Sequence, residues 1–157
     1  MSVATPIAIP AALRAQIEDH ARAAFPAECC GYLVGPRDGA AVDAAIACRN
    51  AQADGDHPTV PERGAETGFV IAGAELLAFA RTFDSARPAR IVYHSHTNGR
   101  AYFSDVDRDV ARGAGYPVQH LVVGVTLAGV TGSAQFAWSE DAAEFVEIAR
   151  WSAPVLG

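Results

Sequence analysis

The sequence predicts an α/β (α+β) fold in which a mixed β-sheet is flanked by helices. Three observations point there. Segments with helical apolar spacing alternate with short apolar runs of strand length. Two of those runs are joined by a turn-rich "GPRDGA", the signature of a hairpin inserted among the helices. Half of the 157 residues are hydrophobic and 19% are charged, the balance of a chain that buries a core. That length suits a single domain over residues 1–157, and no internal repeat divides it.

Taken in order, "AALRAQIEDHARAA" follows Pro10 and carries Leu13, Ile17, Ala21 and Ala24 on one helical face, with Pro26 as its stop. "CCGYLVG" and "AAVDAAIACRN" read as the two strands of the hairpin. Residues 51–68, "AQADGDHPTVPERGAETG", form a polar loop whose length suggests a functional role. "FVI" reads as a brief strand, and "GAELLAFARTFDSA" as a helix with Leu76, Leu77 and Phe79 turned inward. "ARIVYHSH" is expected to be a strand, "SDVDRDVARGA" a helix, and "QHLVVGVTL" and "SAQFAWS" two further strands. The tail "AAEFVEIARW" fits strand and helix equally. Trp138 and Trp151 are expected in the core or at an interface.

Several function classes are excluded by composition. A net charge of −6 opposes broad contact with nucleic acid, and no basic cluster is present. Cys29, Cys30 and Cys48 are too few for a disulfide framework and contain no Cys-x-x-Cys pair, so they read as buried thiols of a cytoplasmic protein. "MSVATPIAIP" has neither the basic region nor the apolar run of a signal peptide. Leu121 to Trp138 is uncharged and nearly long enough to span a bilayer, but Gly124, Gly129 and Gly132 interrupt it. Two buried strands and a turn are expected there, and no membrane association.

The chemistry concentrates in "YHSHTNGRAYFSDVDRDVARGAG", residues 93–115. In a strand, i and i+2 share a face, so His94 and His96 present both imidazoles together, at the strand end where α/β sheets hold ligands. Ser104 and Asp107 are three apart on the first turn of the next helix and face the same way. Two imidazoles and a carboxylate leave a fourth tetrahedral position open, the stoichiometry of a catalytic zinc site. The plainer reading is a helix capping box formed by Ser104 and Asp107, with Asp105 and Asp109 as favourable charges at the helix start. The joint pattern His-x-His, seven residues, Ser-x-x-Asp favours the metal. His20 (mid-helix), His57 (polar loop) and His120 (strand start) read as ordinary surface or half-buried histidines. No spacing supports a Cys–His protease on Cys29 or Cys30.

"HSHTNGRAYFSDVD" resembles the signature of the JAMM (Mov34/MPN-type) metallopeptidases, His-x-His-x7-Ser-x-x-Asp, and "PAECCGYLVG" is similar to the family's upstream Pro-x-Glu followed by an apolar run. Residue types alone leave Glu28 level with Glu18, Glu62, Glu66 and Glu75; it is the resemblance that selects Glu28. It implies a cytidine-deaminase-like three-layer arrangement and Zn²⁺ held by His94, His96 and Asp107. It also implies Glu28 as the general base and Ser104 as a donor to the oxyanion. Thr97 stands where many deubiquitinating members have proline, and the second insertion that grips ubiquitin is missing. "HSHT" followed by "AY" looks closest to the bacterial branch typified by the CysO-cysteine peptidase. That implies a small ubiquitin-like sulfur-carrier protein with a Gly-Gly C-terminus as substrate, cleaved to release an amino acid such as cysteine or a short peptide. The 51–68 loop, Tyr102 and Phe103 are expected to shape the groove for that tail. A deubiquitinase-like isopeptidase and a non-catalytic scaffold are the alternatives within the family, and a nucleic-acid-associated protein is a rival disfavoured by charge. Oligomeric state is not legible.

Overall fold

A computed structural model describes residues 4–51 and 71–152. The elements run α1 (Ala11–Ala24), β1 (Cys30–Val34), β2 (Ala44–Cys48), α2 (Gly73–Thr82), β3 (Ala89–His96), α3 (Asp105–Ala114), β4 (Gln119–Thr126), β5 (Gly129–Ser139) and β6 (Glu144–Ser152). The strands form one six-stranded sheet in the order β2-β1-β3-β4-β5-β6. Only β3 and β4 are parallel; every other neighbouring pair is antiparallel. This is the mixed sheet the sequence predicts. The parallel pair needs a crossover, and α3 supplies it.

Residue alternation along β3 divides the core. Ile91 and Tyr93 point to the face covered by α1, where Leu13, Ile17 and Ala21 pack with Leu33, Leu121 and Val123. Val92 points to the opposite face and packs with Cys30, Tyr32 and Phe79 of α2. Farther along that second face, Val122, Ala134 and Phe136 pack with Phe103, Phe145 and the half-buried Ala111 of α3. The result, among the described residues, is three layers, one helix on one side of the sheet and two on the other.

One expectation is overturned and one open choice is settled. Leu76 and Leu77 do not turn inward: they are 39% and 52% exposed, and Phe79 alone is buried on α2. The rings of Tyr32, Phe83 and Tyr116 surround Phe79 edge-on and fill the contact without the leucines. The tail that fitted either state is β6, settled by its antiparallel pairing along β5 from Ser139↔Glu144 to Gly132↔Ser152. Trp138 is 37% exposed, whereas Trp151 is half-buried beneath the Arg14 guanidinium and packs against the α1-side core. The "FVI" strand falls largely outside the described residues, and Ile71 is not in a strand. The uncharged stretch from Leu121 is β4, a turn and β5, and no helix among the described residues is long and apolar enough to cross a membrane.

Candidate metal centre

β3 ends with His94 and His96, both buried and both on the face shared with α2 and α3. The next helix is aimed at them by its own cap. Ser104 is the N-cap of α3: its Oγ accepts from the Asp107 N–H at 3.0 Å, and Asp107 Oδ2 accepts from the Ser104 N–H at 3.0 Å. The capping box therefore exists. It also fixes the Asp107 carboxylate beside the imidazoles, with Oδ2 at 3.1 Å from His94 Nε2 and 3.0 Å from His96 Nε2. The two Nε2 atoms are 3.2 Å apart. The structural reading and the metal reading are thus one arrangement, since the same carboxylate oxygen serves both.

The triangle suits a cation. Zinc–ligand bonds of about 2.0–2.1 Å place tetrahedral ligand atoms about 3.3 Å from one another, close to the 3.0–3.2 Å found here. Tautomers agree. The Arg100 carbonyl lies 3.1 Å from His96 Nδ1 and can only accept, so the neutral ring carries its proton on Nδ1. Its Nε2 lone pair then faces the carboxylate, a repulsion that a bound cation turns into two ligand bonds. Burial raises the Asp107 pKa, but positive charge on His94 and His96 outweighs it and holds the carboxyl well below the usual range, an effect that a cation bound between neutral rings supplies in its turn. The carboxylate is ionised at neutral pH, as a ligand must be. His94, His96 and Asp107 are the only group of this kind among the described residues.

Glu28 is buried and lies just ahead of β1. In the β1–β3 register Cys30 faces His94, so continuing the ladder sets Glu28 opposite His96 on the same face. Its backbone is clamped. The Ser95 hydroxyl accepts from the Cys29 N–H at 2.8 Å, the Ser95 N–H donates to the Cys29 carbonyl at 3.1 Å, and the Asn50 amide donates to the Glu28 carbonyl at 2.9 Å. Sequence reasoning missed Ser95 and Asn50 as positioning residues. The only available signal was a serine between two histidines of a ligand strand. Among the rival glutamates, Glu18 sits on α1, across the sheet, and Glu75 accepts from the Arg49 N–H at 2.9 Å. Glu62 and Glu66 lie outside the described residues, as do His57 and residues 52–68 of the loop expected to shape the groove.

The remaining candidates separate clearly. Tyr102 is 42% exposed, with its ring edge-on to His96 at 4.8 Å. Phe103 is not a groove residue: it is buried and stacks on Phe136 at 5.3 Å, because the core beneath α3 needs a ring there. His120 is held between Phe103 and Phe145, and burial pushes its pKa down to about 3. His20 bonds the Tyr93 hydroxyl at 2.7 Å on the α1 side. The three cysteines are free and buried. Burial lifts the Cys29 thiol to about 11 and the Cys30 thiol further, so neither is a nucleophile at neutral pH.

Residues 10–140 match the family model described as prokaryotic homologs of the JAB domain. The chain belongs to that family. Two solved structures similar to this prokaryotic JAB-domain chain support the same fold. The solution structure of protein DSY2949 from Desulfitobacterium hafniense has a TM-score of 0.58 at 23% identity, over 89% of this chain and 88% of that one. The solution structure of a protein from Salinibacter ruber has a TM-score of 0.59 at 24% identity, over 90% and 88%. A JAB1/MPN domain protein from Archaeoglobus fulgidus, AF2198, matches with a TM-score of 0.43 at 16% identity, over 85% and 89%. No curated protein sequence matches the chain.

Proposed function

We propose that this JAB-domain protein is a zinc-dependent hydrolase. In this reading it cuts an amide bond at the C-terminus of a small ubiquitin-like sulfur-carrier protein and releases an amino acid such as cysteine or a short peptide. The observation that carries the proposal is the convergence of His94 Nε2, His96 Nε2 and Asp107 Oδ2 within 3.0–3.2 Å. A buried Glu28 on the same sheet face adds to it.

His94, His96 and Asp107 would hold Zn²⁺. When bound, the ion supplies Lewis acidity, polarising the scissile carbonyl and lowering the pKa of a water from about 15.7 towards 7. Glu28 accepts a proton from the attacking water and passes it to the leaving amine. The water oxygen bonds to the carbonyl carbon, the C–N bond breaks, and a carboxylate and an amine leave. Ser104 Oγ takes the Asp107 N–H through a lone pair, which leaves its hydroxyl hydrogen to donate to the developing oxyanion.

The sulfur-carrier assignment is supported by the "HSHT"…"AY" resemblance and by the short link between α3 and β4, residues 115–118, which has no room for a ubiquitin-gripping insertion. An exposed Tyr102 against His96 suits a flexible Gly-Gly tail, which can lie extended beside a ring without side-chain clashes. The test is release of the C-terminal amino acid from carrier conjugates, followed by mass spectrometry, with Glu28→Gln as control. The variant is expected to bind zinc as the wild type does and to turn over about 10²–10⁴-fold more slowly. Equal turnover would sink the mechanism. No release by the wild type, with zinc bound, would leave a metal-binding scaffold.

A further inference from the structure

We infer that Arg100 is the specificity residue for the leaving group, pairing with a free α-carboxylate one residue beyond the scissile amide. This rests on the amide-hydrolase reading above and narrows its substrate class to chains that end in a single C-terminal amino acid.

Arg100 sits in the loop between β3 and α3, and that loop is tied down around it. Its carbonyl accepts from His96 Nδ1–H at 3.1 Å, and its N–H donates to Asn98 Oδ1 at 2.9 Å. On one side, the Gly99 carbonyl accepts from the Thr131 hydroxyl at 2.6 Å. On the other, the Ala101 carbonyl accepts from Arg150 Nη2 at 2.9 Å. Gly99 has φ +77°, and a Cβ there would meet Thr126 at 2.7 Å, so the turn is built for glycine and held in place. The backbone that carries the guanidinium is therefore coupled directly to a proposed metal ligand.

The cation itself is exposed and available. Its Cζ lies 5.7 Å from the Tyr102 ring centroid, and that ring touches His96. Arg22, Arg87 and Arg150 each pair with an acid, namely Asp19, Asp43 and Glu147. Among the described residues, no carboxylate lies within ion-pair distance of Arg100; Arg14, Arg108 and Arg112 likewise lie over aromatic rings without an acid, but of those four rings Tyr102 is the one that packs against a proposed metal ligand. A planar cation held beside an aromatic ring, with no acid against it among the described residues, is suited to bidentate capture of a carboxylate.

Reach decides which carboxylate. One residue of extended chain spans about 3.3–3.6 Å, so the carboxylate of a one-residue leaving group falls close to the metal ligands. The Arg100 Cζ lies 5.7 Å and the His96 ring 4.8 Å from the Tyr102 centroid, so the cation stands no farther from the ligand ring than those two contacts laid end to end, a gap that one extended residue and a guanidinium–carboxylate pair together bridge. A longer peptide would set a neutral amide there, and an isopeptide-linked lysine an aliphatic chain. Neither offers the guanidinium a charge.

The test uses two hexapeptides ending in Gly-Gly-Ala, one a free acid and one a carboxamide; alanine avoids thiol ligation of zinc. Binding to zinc-loaded protein is measured by calorimetry in a Glu28→Gln background, and turnover in the wild type. The acid is expected to be preferred roughly 10-fold or more, chiefly through KM. Arg100→Ala should erase that preference while leaving the carboxamide's binding unchanged, and Arg100→Lys should keep part of it. Equal handling of acid and amide, a preference that survives Arg100→Ala, or no binding of either peptide overturns the inference. Preferential binding of the acid without hydrolysis by the wild type would remove the hydrolase reading and leave carboxylate recognition by Arg100 standing.

Discussion

Replacing Ser104 by alanine or by glycine separates two roles carried by one hydroxyl. Ser104 Oγ receives the Asp107 N–H at 3.0 Å and completes half of the capping box on α3. Alanine removes that acceptor, and loss of an N-cap of this kind costs about 1 kcal/mol. In a domain of this size that lowers Tm by roughly 2–4 °C. Glycine at the N-cap costs only a few tenths of a kcal/mol, so Ser104→Gly should stay close to the wild type in a urea titration of the metal-free protein. Catalysis should not follow stability. Both variants lose the hydroxyl proposed to donate to the oxyanion, for which about 10²–10³ in kcat is the usual loss. The reciprocal bond, from the Ser104 N–H to Asp107 Oδ2, survives in both, so the carboxylate keeps its orientation and zinc content should hold. Urea midpoints, kcat on a carrier conjugate and zinc per chain would be measured for the three proteins. Turnover within a few-fold of wild type in Ser104→Gly would refute the oxyanion role. An unchanged midpoint in Ser104→Ala would refute the energetic role of the cap.

Two further predictions concern the scaffold beneath the site. A thiol reagent at pH 8 should label the native chain slowly and all three cysteines at once after unfolding, because burial holds Cys29 and Cys48 at about 11. Rapid labelling of one thiol in the native state would reopen the cysteine-nucleophile reading. Gly31→Ala should destabilise the fold by about 1–3 kcal/mol, since a Cβ at this position would lie 2.4 Å from the Ile46 carbonyl and 2.5 Å from the Tyr93 ring. A urea midpoint matching the wild type would show that β1 shifts freely between its neighbours.

Most strands and the His94–His96–Asp107 triad are legible in the chain because local signals carry them. Alternation on β3 sets both histidines on one face, and the Ser104–Asp107 spacing is a helix-start signal whatever else it does. Legibility fails where a distant partner decides. "EFVEIARW" fits both periods, and only the edge offered by β5 makes it β6. Leu76 and Leu77 have the spacing of a buried face, yet the aromatic cluster around Phe79 leaves them outside. Phe103 adjoins the motif in sequence, but its ring belongs to the core under α3. Glu28 is distinguished from other glutamates by the β1–β3 register, and Arg100 by a ring partner, Tyr102, that packs against His96, neither of which a linear sequence displays.

The central claim is that His94, His96 and Asp107 form a metal centre, and elemental analysis of bound zinc tests it most directly. Wild type should hold about one zinc ion per chain, whereas Asp107→Asn, which keeps an oxygen for the Ser104 N–H but loses the charge, should hold far less. No zinc in the wild type after reconstitution, or equal zinc in the variant, would leave the carboxylate a helix cap and contradict the account.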